Sequence, residues 1–306
     1  EGDGGEVIVW SDSQTAFWGR IEAMGAGQFG NGGFAEVSGR YLLARGDVDL
    51  SAPNGELGTL LYDPIDIEII GGSADGADSP DGSNTNVAGD GGTNGTVSFA
   101  DVGTGASPFT IYESEIENTN ANIILEAEEN ITVSGTFGGN ELLIAPNNDL
   151  ILRIRNNLNS GTIDLTGSTA GGNLLVRTQG TGSISLEGST SGVNAGDIRV
   201  PQLRSDSGGI SIDTPNGTIY LTNNIQTDGG DVTIDGQVTL EGNITIDTEL
   251  GNNSAAGNVD LQNAVISRVP LVDSGEVGVV TVPANGGWQT ITFSSSFSSP
   301  VVVGVA

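Results

Sequence analysis

Three carboxylates recur at every third position in one glycine-rich stretch: Asp75, Asp78 and Asp81, within GGSADGADSPDGSNTNVAGDGGTN at residues 71–94. Hard cations such as Ca²⁺ take several carboxylate and carbonyl oxygens, and a flexible acidic loop can supply them. The spacing is neither that of an EF-hand nor that of the nonapeptide calcium repeat, so a solvated surface loop is the simpler reading and calcium the sharper one. A second set is basic. Arg155, Arg177 and Arg199 stand at equal intervals, each directly after an apolar residue (Ile154, Val176, Ile198), so in strands all three would face outward. On neighbouring coils they would form a column, and like charges about 5 Å apart repel unless acids compensate them. Such a stripe could meet an anionic glycan or the acidic face of a neighbouring protomer. Pairing within the chain, with acids such as Asp197 and Glu187, is the plainer alternative.

Aromatic residues offer a third chemistry. Trp10, Trp18 and Trp288 could each stack on a sugar ring. Trp10 ends an alternating strand and is read as a core or cap residue, as is Trp288, which leaves Trp18 as the exposed candidate. Sequons begin at Asn94, Asn130, Asn216 and Asn243. In a chain rich in Asn and Thr these are expected by chance, and Asn at turns has a simpler use, because its side chain satisfies turn backbone.

Absences narrow function further. The chain has 306 residues, 49 of them Gly, with 39 acidic residues against 9 basic ones, all arginine, and a net charge of −30. It contains no lysine, histidine or cysteine. There is therefore no thiolate nucleophile, no Ser-His-Asp triad, no imidazole-bound zinc and no disulfide. Nucleic acid and acidic membrane surfaces are repelled. No run of 18 apolar residues is present, so no membrane-spanning helix is expected. Lysine-free acidic surfaces suit strongly screened, extracellular settings, where the Debye length falls to about 3–8 Å. Position 1 lies inside a glycine-rich motif, so a piece of a longer chain is expected.

The elements that must carry these residues are strands. Segments such as GEVIVW, GTIDLTGS, GSISLEGS, GGISIDT, GTIYLTNN and GDVTIDG alternate apolar and polar residues between Gly, Asn, Asp and Ser. Gly161 and Gly182, Gly196 and Gly217, and Gly209 and Gly230 share one spacing of about 20 residues, which predicts a solenoid rather than a β-sandwich. The fold class expected is all-β: a right-handed parallel β-helix over 1–268, with a surface insertion at 71–94 and a partial antiparallel β module at 269–306. Ile163, Leu165, Ile184, Leu186, Ile210, Ile212, Val232 and Ile234 should point inward. Roughly thirteen coils at about 4.8 Å each would make a rod about 60 Å long.

Four motifs in order, GDGGEVIVWSD at 2–12, FWGRIEAMG at 17–25, GNGGFAEVSGR at 30–40 and GDVDLSAPNGELGTLLYDPIDIEI at 46–69, resemble the filamentous-hemagglutinin-like exoproteins of two-partner secretion. The resemblance implies a right-handed β-helix, export through an outer-membrane transporter, a secretion domain upstream, and a place at the cell surface or in a fibre. SGEVGVVTVPANGGWQTITFSSSFSSPVVVGVA, at the end of the chain, resembles the first half of an H-type lectin module, a family that binds galactose-type sugars between protomers. In the loop where that family carries an acidic sugar contact, this chain has Ala284, Asn285, Gly286 and Gly287. The expected function is a secreted structural or adhesive surface protein, self-associating into a filament or displayed as a rod, with glycans as possible partners. The alternative is a dedicated carbohydrate-binding protein on a stalk. β-Helix lyases and hydrolases need a base or clustered carboxylates. No lysine is present and no acidic pair stands out, so no enzymatic activity is expected.

Overall fold

A computed structural model describes residues 2–73, 108–155, 161–189, 196–250 and 256–263, together with the backbone of the short strands Val87–Ala88, Val102–Gly103 and Ile266–Arg268. The chain winds as a parallel β-helix with three faces. The first face stacks nine strands in sequence order. It starts from the leading half of Glu6–Phe17 and continues through Phe34–Ala44, Thr59–Asp63, Asn122–Ala127, Leu150–Ile154, Ile184–Glu187, Ile210–Leu221 and Val232–Leu240 to Val259–Gln262. The second face contains Phe109–Tyr112, Asp66–Gly71, Asn130–Gly135, Thr162–Asp164 and Ile198–Val200, then the trailing halves of the two long strands and Ile266–Arg268. The third is built from Arg20–Glu22 and Asp47–Asp49, and further along from Glu141–Leu143, Leu175–Arg177, Gln202–Arg204, Ile225–Gln226 and Ile246–Asp247. Every ladder within these faces is parallel.

Alternation in the sequence becomes stacking in the core. Ile123, Leu150, Ile184, Ile210 and Val232 lie in register on successive coils, as do Leu125, Leu152, Leu186, Ile212 and Ile234. All ten are buried, and the eight residues expected to point inward are among the core. The polar residues flanking the strands form ladders of their own. Asp149 N–H donates to Asn122 Oδ1, and Ser183 donates through both N–H and Oγ to Asp149 Oδ1. In GNGGFAEVSGR, Val37 and Ala35 face the core while Phe34 remains half-buried outside it.

Coil length is where expectation and structure part. Steps between coils run from 19 residues, as from Ile219 to Val238, through 27 for Asp231 to Asn258, to 35 for Ile163 to Ile198, and one coil, from Thr59 to Asn122, takes 63. Gly209 with Gly230 and Gly196 with Gly217 precede strands paired on adjacent coils. Gly161 and Gly182 precede strands on different faces, so that equal spacing is not a coil repeat. Longer coils mean fewer of them: nine first-face strands give about 40 Å of rise at about 4.8 Å each, against the thirteen coils expected.

The excursion from the second face is also longer than residues 71–94. The strand Asp66–Gly71 pairs directly with Phe109–Tyr112, so the chain leaves and rejoins the same face, and within the excursion Val87–Ala88 pairs antiparallel with Val102–Gly103. On its return the chain makes a five-residue helix, Glu113–Glu117, which the strand pattern did not anticipate. The module expected at 269–306 lies outside the described residues.

Candidate functional site

The three faces separate the arginines. Arg155 closes the first-face strand Leu150–Ile154, Arg199 lies in the second-face strand Ile198–Val200, and Arg177 lies in the third-face strand Leu175–Arg177. The expected column does not form, because each interval carries the chain onto another face as well as along the axis. Pairing within the chain does occur, with other partners than expected. Arg155 contacts Asp63 and lies 3.3 Å from Glu126; Arg177 lies 3.6 Å from Glu141 and 3.5 Å from Asp206. Arg199 reaches Glu241 at 2.6 Å and Asp164 at 3.8 Å, with its guanidinium 5.0 Å from the Tyr220 ring centre. Glu187 pairs instead with Arg153 at 2.5 Å, a hydrogen bond that holds the guanidinium proton more tightly than usual. Asp197 accepts the Thr218 N–H.

The chemistry that does converge lies along the corner between the first and second faces. There Trp10, Ser11, Asp12, Gly39, Arg40, Asp63, Pro64, Ile65, Glu128 and Arg155 line a groove of about 180 Å³. They come from five successive coils, about 19 Å along the axis. Backbone hydrogen bonds tie the floor from coil to coil: Ile65 N–H to Arg40 O at 3.3 Å, Glu128 N–H to Pro64 O at 3.0 Å and Arg155 N–H to Ala127 O at 2.8 Å. At its first coil the ladder slips. Ser11 pairs with Gly39 and Gln14 with Tyr41, leaving Asp12 and Ser13 opposite the single residue Arg40, a bulge that turns the strand outward at the groove. Gly39 is required beneath it, since a Cβ there would lie 2.8 Å from Thr15 Oγ1.

Trp10 reverses its expected role. It is 61% exposed at the mouth of this groove, whereas Trp18 is half-buried. Alternation makes the correction intelligible: Val7 and Val9 face inward, so Trp10 and Ile8 face outward on the first strand of the stack. Asp63 carries the other anomaly. One carboxylate oxygen contacts Arg155, while Oδ1 is shielded from solvent and has no hydrogen-bond partner.

A second cluster holds the neck of the excursion. The Arg45 side chain is 5% exposed; it donates to Ala44 O and Thr110 O, both at 2.8 Å, and to Thr110 Oγ1 at 2.9 Å. Buried Glu113 accepts from Gly72 N–H at 2.5 Å and Gly138 N–H at 2.8 Å, joining the departing chain to the returning one. Burial, followed by repulsion from Glu113 and Glu141, pushes the Glu117 carboxyl up despite the N–H that Leu143 donates to it. Burial likewise pushes the Tyr62 hydroxyl up. These contacts are structural: they let one long insertion leave a solenoid without breaking its second face.

The remaining candidates divide simply. Asp75, Asp78, Asp81, Asn94 and Trp288 lie outside the described residues. Among the described residues no group of three or more acidic side chains is arranged to hold a metal ion, and no helix is long and apolar enough to cross a membrane. Asn130 uses its side chain in the ladder, donating to Asp66 Oδ1 and accepting from Thr162. No family model, curated protein or solved structure matches the chain.

Proposed function

We propose that the protein is an extracellular structural and adhesive rod, displayed at the cell surface or assembled into a filament. The observation that carries this reading is the stack itself: nine first-face strands in parallel register over one apolar core, a geometry that sets distance between its two ends. A net charge of −30 keeps such rods apart from acidic surfaces and from one another except at matched contacts. The exoprotein-like motifs at residues 2–69 support export through an outer-membrane transporter, and the lectin-like stretch at 272–306 supports a glycan-contacting end.

Immunogold labelling of intact cells, combined with electron microscopy of the purified protein, tests the proposal. Surface label together with rods or filaments is the expected result. Label confined to the cell interior would overturn it.

A further inference from the structure

The groove along the first corner contains three features that a coil corner does not need for folding. Its aromatic residue is turned out to solvent instead of into the core and lines the groove. Beside Trp10 on the next coil stands Ser38, small and buried, and beyond it Asp63. The Asp63 Oδ1 is the third feature, an acceptor shielded from water with no donor. Buried polar atoms are nearly always hydrogen-bonded, and Asp63 Oδ1 is one of several among the described residues that are not.

We propose that this groove binds a neutral oligosaccharide chain, with a pyranose ring stacked on Trp10 and ring hydroxyls hydrogen-bonded to the exposed Asp12 and Arg40. A sugar ring has the two surfaces this arrangement calls for, a face of C–H groups that packs on an indole and a rim of hydroxyls that both donate and accept. The charged side chains around the groove are of both signs: Asp12, Arg40, Asp63, Glu128 and Arg155 give acceptors and donors along about 19 Å of corner. A peptide would need apolar pockets for its side chains, and Pro64 and Ile65 are the only aliphatic residues in the lining. A polyanion is disfavoured twice, by three lining carboxylates against two guanidiniums and by the net charge of the whole chain. The site stands apart from the lectin-like stretch, and binding by the purified protein does not depend on where the cell places it.

Binding is measured by affinity electrophoresis and by quenching of tryptophan fluorescence. The full-length protein is titrated with cellohexaose, xylohexaose, mannohexaose and chitohexaose, and with polygalacturonate as the anionic comparison. At least one neutral hexasaccharide should bind, and Trp10→Ala should weaken it about tenfold or more, the loss of one stacking contact. Trp10→Phe should recover part of the affinity. Because Trp10 is exposed, the alanine variant should keep the wild-type circular dichroism and melting temperature. Trp288→Ala should bind as wild type, which separates this groove from the lectin-like end. The proposal is overturned if no neutral hexasaccharide binds, if binding survives Trp10→Ala, or if polygalacturonate binds equally well. A surface rod without glycan binding would leave the architectural reading intact.

Discussion

Gly182, Gly208, Gly230 and Gly257 stand above one another on successive coils, at a corner where backbone meets backbone. A Cβ on Gly230 would lie 1.8 Å from the carbonyl oxygen of Gly208, where contacts as short as 3.0–3.4 Å are already tight. Alanine at 230 therefore forces the two coils at least about 1.2 Å apart, a quarter of the coil rise of about 4.8 Å. Three bonds lie within reach of that shift: Ile210 N–H to Asp231 O at 2.9 Å, Val232 N–H to Asn258 O at 2.8 Å and Thr227 Oγ1 to Gly230 O at 2.5 Å. Losing two of them, and leaving buried carbonyls unpaired, costs about 2–4 kcal/mol, partly offset by about 0.4–1 kcal/mol from the lower unfolded-state entropy of alanine. The matched control is Gly242→Ala, where the nearest atom to a new Cβ is Thr222 O at 3.8 Å, so the entropy gain should stand alone. Urea unfolding followed by circular dichroism, with hydrogen exchange at the Val232 amide, should show Gly230→Ala opening at lower urea and Gly242→Ala unchanged or slightly more stable. Equal behaviour of the two variants would refute the claim that these glycines are selected for coil contact.

Three further outcomes follow from the same geometry. Asp213 sits in register between Glu187 and Asp235, and burial, then repulsion from Asp235 and Glu187, raises its pKa above the ordinary 3.8. The folded carboxyl binds its proton more tightly than the unfolded one, so its penalty is present at neutral pH and lifts as pH falls through the raised value. Asp213→Asn should then raise the melting temperature at pH 7, by about 0.2–1 kcal/mol of stability, and make no difference near about pH 3. Arg45→Ala should destabilise by about 3–5 kcal/mol, because it removes donors from buried partners at the excursion neck; limited proteolysis between Gly71 and Phe109 should accelerate. Gln substitutions at Arg155 and Arg199 should be additive to within about 0.5 kcal/mol in a double-mutant cycle, since the two lie on different faces with separate acids. A larger coupling energy would restore the single basic stripe.

The fold was legible because two periods are written into the chain independently. Alternation gives the inward residues, and a strand facing the core on one side must alternate, which is why Ile184, Ile210 and Val232 could be assigned before their register was known. The coil repeat was only partly legible. Strands are constrained by packing and corners are not, so a corner absorbs extra residues at small cost, and the step varies from 19 to 35 outside the excursion. Arg45 and Glu113 were invisible for a related reason: each acts on backbone reached only after the excursion returns, 65 residues on for Arg45 and Thr110.

The same freedom at the corners explains why equal spacing misled and unequal spacing held the site. Arg155, Arg177 and Arg199 are evenly placed in sequence and lie on three faces, because each interval is only part of a coil that takes 34 residues from Asp149 to Ser183. Trp10, Arg40, Asp63, Glu128 and Arg155 are unevenly placed and share one corner: Asp63 closes a first-face strand, Glu128 and Arg155 directly follow one, and Trp10 and Arg40 lie where the two longer strands pass between faces. In a three-faced solenoid a side chain's neighbours along the axis are set by its position relative to its own strand, not by its distance along the chain. Searching such sequences for chemistry by interval therefore finds accidents. Aligning the strands first, and then comparing residues in the same register, places Trp10 opposite Ser38 and Ser38 opposite Asp63.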